Sequence, residues 1–221
     1  MTQPTRPHPI FARVYAGFAG PALERAGMGE HRTRLLAGLR GEVVEIGAGN
    51  GLNFPHYPPE VTRIVAVEPE PTLRARAVEQ ARATSVPVET QAARAERLPF
   101  PDASFDAAVA CLTLCSVADP RAALAELHRV LRPGGQLRFL EHVQARTPAM
   151  RRVQRILDAT IWPPLVGGCH TGRDTETAIA AAGFTLTTVD HFDFPASRVP
   201  LPAATHILGT AVRGNGPHTT A

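Results

Sequence analysis

Short runs of β-branched residues alternate with longer helical patterns through most of this chain. Strand-like runs lie at residues 42–46, 62–67, 86–91, 105–111 and 137–142, and helical patterns at residues 21–39, 72–83, 120–131, 149–161 and 175–182. This alternation indicates βαβ units, in which helices cover both faces of a parallel sheet. Two last runs, at residues 184–189 and 206–212, have only a Pro-rich loop between them and predict an antiparallel end to the sheet. We therefore expect an α/β fold.

The length and composition fit one globular domain. The chain has 221 residues, of which 44% are hydrophobic and 19% are charged, and this excludes a disordered chain. The longest apolar runs, such as residues 107–114, are far shorter than the roughly 20 residues that cross a bilayer. No signal peptide is visible, and three cysteines are too few for a disulfide framework. We expect a cytoplasmic protein with reduced thiols and no integral membrane segment.

The net charge of +3 does not indicate a nucleic-acid partner. The arginines are scattered along the chain, and the densest cluster, Arg151, Arg152 and Arg155, has no aromatic residues between them for base stacking. A solvated helix face explains this cluster, so we expect no binding of nucleic acid.

A glycine-rich segment, Glu45-Ile46-Gly47-Ala48-Gly49-Asn50-Gly51, directly follows the first strand-like run. Glycines at this position let the backbone turn sharply and approach a ligand at the carboxyl ends of the strands. The dinucleotide fingerprint needs its third glycine five residues after the first, where this chain has Leu52. The segment therefore predicts a ligand site that differs from the usual dinucleotide site.

Glu45, two residues before Gly47, indicates the charge of that ligand. A carboxylate at the mouth of the crevice repels a pyrophosphate and attracts a cation, and opposite charges about 4 Å apart gain roughly 4 kcal/mol at an effective dielectric of about 20. S-adenosylmethionine carries a sulfonium and an ammonium group but no phosphate. Glu45 therefore favours this cofactor over NAD, and a methyltransferase over an NAD-dependent oxidoreductase. The alternative is a strand-end Glu paired with a surface Arg.

Glu68 ends the second strand-like run, 21 residues after Gly47. A carboxylate there can accept hydrogen bonds from both ribose hydroxyls of a nucleoside, as in related nucleotide folds. Without the glycine-rich segment before it, Glu68 would be an ordinary exposed side chain.

These residues are part of a longer series of motifs along residues 41–142. The series comprises Glu-x-Gly-x-Gly-x-Gly, Val67-Glu68-Pro69, Ala95-Glu96-Arg97-Leu98-Pro99-Phe100, Pro101-Asp102-Ala103-Ser104-Phe105-Asp106 and Leu131-Arg132-Pro133-Gly134-Gly135. In this order and spacing it resembles the seven-stranded, class I S-adenosylmethionine-dependent methyltransferases.

A second series, which extends to about residue 183, is similar to the methyltransferase-like thiol S-methyltransferases. It comprises Gly51-Leu52-Asn53-Phe54, Tyr57-Pro58-Pro59, Leu112-Thr113-Leu114-Cys115-Ser116-Val117, Phe139-Leu140-Glu141-His142, and Gly168-Cys169-His170-Thr171 with Arg173. The resemblance implies a Rossmann-like three-layer sandwich with a mostly parallel seven-stranded sheet and an antiparallel C-terminal strand.

The same resemblance implies one methyltransferase domain over residues 1–221. Its parts would be an N-terminal helical lid at 1–40, a cofactor-binding core at 41–142, substrate-side helices and the last strands at 143–213, and a loose tail at 214–221.

The resemblance also implies which residues bind S-adenosylmethionine and its product S-adenosylhomocysteine. The expected cofactor-binding residues are Glu45, Gly47, Ala48, Gly49, Gly51, Asn53, Glu68, Pro69, Ala95, Glu96, Cys111, Leu112 and Thr113. The glycines and Asn53 would line the methionine and ribose part, and residues 111–113 the methionine end. Ala95 and Glu96 would face the adenine edge. Many relatives carry Asp immediately before this pair, where the chain has Arg94. Glu96 is therefore our favoured contact for the adenine amino group.

Substrate-side candidates follow from strand ends and from the same resemblance. His142 ends the fifth run and is the candidate base, the alternative being a histidine hydrogen-bonded to a loop. Cys169 and His170 are candidates for the acceptor pocket. Tyr15 is a candidate lid residue that core packing explains equally well. Asp174 is a candidate that more simply caps the helix beginning near residue 175.

We expect no metal site and a small-molecule methyl acceptor. Cys111, Cys115 and the Cys169-His170 pair offer soft ligands, but no Cys-x-x-Cys spacing is present. The acceptor is expected to be a thiol by resemblance only. The alternatives are C-, O- or N-methylation of a quinone, lipid or natural product, and a cofactor-binding module without turnover. The sequence leaves the oligomeric state open.

Overall fold

Seven strands form one mixed sheet at the centre of the structure, a computed structural model that describes residues 9–196 and 200–214. The strands are β1 (Gly41–Ile46), β2 (Val61–Val67), β3 (Val88–Gln91), β4 (Phe105–Cys111), β5 (Leu131–His142), β6 (Phe184–Asp193) and β7 (Thr205–Arg213). Their order is β3-β2-β1-β4-β5-β7-β6, and β7 alone runs antiparallel to its neighbours. The predicted α/β fold, with a mostly parallel sheet and an antiparallel C-terminal strand, is confirmed.

Helical segments connect the strands. They are α1 (Pro9–Val14), α2 (Gly20–Leu23), α3 (Gly29–Leu36), α4 (Pro71–Ala81), α5 (Pro120–Val130), α6 (Pro148–Ala159), α7 (Trp162–Leu165) and α8 (Thr175–Ala181), with π-helical turns at Tyr15–Ala19 and Glu24–Met28 and a 3₁₀ turn at Phe54–His56. The prediction of one helix over residues 21–39 is wrong, because Gly27 has a φ of 105° and interrupts the helical path. No helix within the described ranges is long and apolar enough to span a membrane.

The central strands of the sheet are buried on both faces, as parallel strands between helices require. Successive residues of β1 and β4 point to opposite faces, so Val43 belongs to one apolar cluster and Val44 to the other. Leu124 and Leu127 of α5 cover the face of Val44, and Leu35 of α3 covers the opposite face. The central strands are therefore solid core, and only their ends can carry a site.

The carboxyl ends of the parallel strands meet at one edge of the sheet. Ile46 at the end of β1 pairs with Val67 of β2 and Ala110 of β4, and Cys111 pairs with Leu140 of β5. The segments that follow these strands therefore lie side by side. Ligands of open α/β sheets bind at this edge.

Candidate functional site

The glycine-rich segment after β1 forms a tight turn that only glycine fits well. Gly47 has a φ of 59°, and a Cβ there would lie 2.4 Å from Cγ2 of Thr113. Gly49 has a φ of 58°, but a Cβ added there would have no neighbour closer than 3.9 Å. Gly47 thus packs against the segment after β4, whereas Gly49 leaves room beside the backbone for a ligand.

Glu68 is tied to this turn through its carboxylate. One carboxylate oxygen accepts the backbone N–H of Gly49 at 2.9 Å, and the other accepts that of Glu70 at 2.8 Å. Burial raises the pKa of Glu68 despite these hydrogen bonds, which favour the charged form. Each oxygen keeps a further acceptor position, so the carboxylate can accept hydroxyl donors next to Gly49.

Glu45 lies beneath the glycine turn and not at the mouth of the crevice, where the sequence analysis placed it. The residue is 1% exposed, because the last four residues of β1 are all buried between β2 and β4. Its Oε1 accepts the Asn53 amide at 2.8 Å, and its Oε2 accepts the Tyr57 hydroxyl at 2.7 Å. Glu45 forms no ion pair within the described part of the chain, so the surface-Arg alternative does not describe it.

Burial raises the pKa of Glu45 to about 7, against the opposing effect of the Tyr57 and Asn53 hydrogen bonds and of the Arg32 charge. The carboxyl group is therefore poised between its neutral and its charged form near neutral pH. A cation bound beside it would favour the charged form.

Arg32 on α3 is a site residue that the sequence analysis missed. Its guanidinium is almost fully buried and donates to Asn53 Oδ1 at 2.6 Å, to Cys111 Sγ at 3.2 Å and to Glu24 at 2.8 Å. Asn53 therefore connects the Arg32 cation to the Glu45 carboxyl group, with one end of its amide on each. An arginine inside a helical pattern gives no sequence signal of such burial.

Tyr15 and Cys111 lie beside Arg32. Burial raises the pKa of Tyr15, and it raises that of the Cys111 thiol to about 11, against the opposing charge of Arg32 in both cases. Tyr15 Cε1 lies 4.0 Å from the position of an added Cβ at Gly49. The N-terminal segment thus covers the glycine turn, where a lid residue was expected.

The segment after β4 is held by Glu141, a second residue whose role the sequence analysis did not assign. Glu141 is fully buried, and its carboxylate accepts the backbone N–H groups of Thr113, Leu114 and Cys115 at 2.9, 2.9 and 3.3 Å. Burial raises the pKa of Glu141 despite these hydrogen bonds. Leu112, with a φ of 54°, turns the chain just before them.

The predicted adenine-side residues lie after β3. Ala95 is buried, and Glu96 accepts the backbone N–H of Ala118 at 2.9 Å and pairs with Arg94 at 3.3 Å. Burial opposes ionisation of Glu96, but the Arg94 hydrogen bond and charge lower its pKa overall. Arg94, the departure from the family pattern, is therefore the ion-pair partner of Glu96.

On the acceptor side, His142 contacts Cys169. Its Nε2 lies 2.9 Å from the Cys169 Sγ, and its Nδ1 has no partner among the residues described. Burial lowers the pKa of His142, but the Cys169 contact and the charges of Glu141 and Asp158 together raise it overall. The structure thus contains the hydrogen bond to a loop that was weighed as the alternative, and the role of His142 as a base stays a prediction.

The two remaining candidates differ from His142. His170 Nδ1 lies 2.9 Å from the Gly168 carbonyl oxygen and 3.2 Å from Arg173 Nη2. Asp174 accepts the backbone N–H of Thr177 at 3.2 Å, which confirms the simpler interpretation that it caps α8.

Comparison with known proteins identifies the family of this chain. Residues 44–139 match the family model described as a methyltransferase domain. The chain is 34% identical over 190 residues to the thiol S-methyltransferase TMT1B of Rattus norvegicus. This match covers 80% of this chain and 74% of that protein. It is 33% identical over 185 residues to the human thiol S-methyltransferase TMT1A, with the same coverage of 80% and 74%.

A solved structure shows the same fold at low sequence identity. The YcgJ protein of Bacillus subtilis superposes with a TM-score of 0.68 at 20% identity, over 85% of this chain and all of that one. The chain therefore belongs to the class I S-adenosylmethionine-dependent methyltransferases, and within them to the family of the thiol S-methyltransferases.

Proposed function

We propose that this methyltransferase transfers the methyl group of S-adenosylmethionine to the sulfur of a small thiol. The relatives named above supply the acceptor class, and the site supplies the support for how the cofactor is held. The observation that carries the cofactor assignment is the buried series Glu45–Asn53–Arg32 under the glycine turn.

The series matches the charges of the methionine end of the cofactor. That end carries an ammonium and a carboxylate, and the series presents a carboxyl group and a guanidinium joined by one amide. In our proposal Glu45 binds the ammonium and Arg32 binds the carboxylate. A buried pair of opposite charges is costly alone and is stabilised by a ligand that complements both.

The adenosine part of the cofactor is proposed to bind along the rest of the carboxyl-end edge of the sheet. Glu68 is proposed to accept the ribose hydroxyls, with Pro69 beside it. The backbone of Ala48, Gly49 and Gly51 is proposed to line the ligand; Gly49 has space beside it, whereas an added Cβ at Gly51 would lie 2.7 Å from the Phe54 ring. Ala95 and Glu96 are proposed to contact the adenine edge. Cys111, Leu112 and Thr113 complete the methionine end. The residues present fit the cofactor, because Gly49 has space beside it and Glu68 has acceptor positions free.

Bound S-adenosylmethionine supplies an electrophilic methyl group, so the chain mainly has to position the acceptor and exclude water. A thiol with a pKa near 8.5 is a few per cent thiolate at neutral pH and does not require a base. We place His142 on the acceptor side. Its Nε2 contacts Cys169, so proton removal by Nε2 requires that this 2.9 Å contact opens, whereas Nδ1, which has no partner among the residues described, can accept a proton with the contact intact.

An acceptor panel tests the proposal. With methyl-labelled S-adenosylmethionine, we expect label in the thioether product of small thiols and much less in phenols, quinols and amines. Turnover of the oxygen, carbon or nitrogen acceptors alone would overturn the thiol assignment. Cofactor binding without turnover of any acceptor would favour a binding module. Glu45→Gln is the control for cofactor dependence, since it is expected to lower turnover of every acceptor.

A further inference from the structure

Cys115, His142 and Cys169 form a buried cluster that the cofactor site does not use. Cys115 lies in the segment after β4, His142 is the last residue of β5, and Cys169 lies before α8. One ligand atom from each lies within 4.8 Å of the other two, and all three residues are buried. We propose that this cluster, called here the Cys₂His site, binds one zinc ion.

The donor set selects the metal. Two thiol sulfurs and an imidazole nitrogen are soft or borderline ligands, which suit zinc and disfavour magnesium and calcium. Two thiolates balance the charge of one divalent ion, so the loaded site is neutral and its burial is not costly. Three protein ligands leave the fourth tetrahedral position to a non-protein ligand, as in zinc sites that bind a substrate.

The surrounding structure holds the three ligands in place. Glu141 fixes the backbone N–H of Cys115 at 3.3 Å, and the Cys115 carbonyl accepts the backbone N–H of His170 at 2.9 Å. Arg173 donates to the carbonyls of Leu114 and Val117. The two cysteine-bearing segments are therefore bonded to each other, and a site on such a support needs little rearrangement to take an ion.

The imidazole remains available as a ligand. Its Nε2 contacts only the Cys169 Sγ at 2.9 Å, and its Nδ1 meets no hydrogen-bond partner in the ranges the structure describes. Ligand atoms around zinc lie farther apart than 2.9 Å, because Zn–N and Zn–S bonds are about 2.0 and 2.3 Å long. A small outward movement of Cys169 is therefore the change that loading requires.

The ligands are 27 residues apart in both intervals, which explains why their spacing gave no signal of a metal site. From the sequence, Cys111 is grouped with the other cysteines and no metal site is expected. In the structure the Cys111 Sγ instead accepts the Arg32 guanidinium at 3.2 Å. Cys111 is thus a buried cysteine outside the Cys₂His site and provides a matched control.

The test is a zinc titration of the full chain after chelator treatment under reducing conditions, against a competing chromophoric chelator. We expect one zinc per wild-type chain and the same for Cys111→Ser. Cys115→Ser and Cys169→Ser should each weaken binding by at least about 10-fold. His142→Cys should retain binding, since it supplies a third thiolate, whereas His142→Ala should lose it.

Cobalt loading of the wild-type chain tests the site without a substitution that affects folding. Coordination by Cys115 and Cys169 predicts a thiolate-to-cobalt charge-transfer band in the near ultraviolet, which Cys111→Ser retains. A wild-type chain that gives no such band and takes up no zinc would overturn the proposal and leave a hydrogen-bonded cluster. Equal loss of zinc in Cys111→Ser would also overturn it.

Discussion

The Tyr57 hydroxyl donates to the buried Glu45 carboxylate at 2.7 Å, under the turn that follows β1. This bond and the one from Asn53 partly offset the burial that raises the pKa of Glu45 to about 7. Glu45, which is proposed to bind the cofactor ammonium, therefore changes its own charge near neutral pH.

Cofactor affinity is expected to rise with pH because of this group. When the pH is below its pKa of about 7, Glu45 is mostly neutral and attracts an ammonium group weakly. When the pH is above this pKa, Glu45 is mostly charged. Between about pH 6 and 7, below the pKa of about 8 of an α-ammonium group, the charged fraction of Glu45 grows by about 5-fold, and the binding constant for S-adenosylmethionine should follow it. Calorimetric titration at several pH values measures this slope.

Glu45→Gln is the control for the pH dependence. Titration of Glu68, whose pKa is also raised, contributes to both proteins and cancels in the comparison. An equal pH slope in wild type and Glu45→Gln would contradict the assignment.

Tyr57→Phe is expected to weaken cofactor binding at neutral pH by about 1.5–3 kcal/mol, the usual range for a hydrogen bond to a charged group. The ring keeps its packing, but Glu45 loses one donor to its charged form, so its pKa rises further above about 7. The affinity profile should move to higher pH. Binding isotherms at two pH values distinguish this shift from a uniform loss, which a packing defect would cause.

Gly47→Ala is expected to destabilise the fold by about 2–5 kcal/mol, the sum of a left-handed backbone and overpacking. Its added Cβ would lie 2.4 Å from Thr113 at a φ of 59°. Gly17→Ala is the matched control, since nothing lies within 4 Å of its added Cβ. Urea unfolding measures both. Comparable stability of the two variants would show that the turn does not require glycine at position 47.

Asp174→Ala is expected to lower the free energy of unfolding by about 1 kcal/mol, the usual value for a lost N-cap. Its carboxylate accepts the Thr177 N–H at the start of α8. Methyl transfer per folded molecule should be unchanged. A large loss of turnover with unchanged stability would restore Asp174 as an acceptor-side residue.

The sequence predicted the parts of the fold that depend on local patterns. The run at residues 105–111 matches β4, and the glycines of residues 47–51 form the turn they predict, because period and backbone freedom are local properties. The sequence did not predict the break at Gly27, since a glycine within a helical pattern is compatible with a continuous helix and with an interrupted one.

The residues of the candidate site were predictable only where they lie at the ends of neighbouring strands. Glu45 lies near the end of β1, the glycines follow it directly, and Glu68 directly follows the neighbouring β2, so topology alone brings them to one edge. Arg32, Glu141 and the Cys₂His site depend on contacts between distant segments, which one sequence does not reveal. The burial of Glu45 was missed for a similar reason, because it follows from the position of β1 inside the sheet.

The most direct test of the proposed cofactor site is calorimetric titration of wild type, Glu45→Gln and Glu68→Gln with S-adenosylmethionine and with adenosine, which lacks the methionine end. We expect Glu45→Gln to weaken S-adenosylmethionine by about 1–3 kcal/mol and to leave adenosine unchanged. Glu68→Gln should weaken both ligands to a similar extent, since both carry the ribose. Normal binding of S-adenosylmethionine by Glu45→Gln would contradict the account.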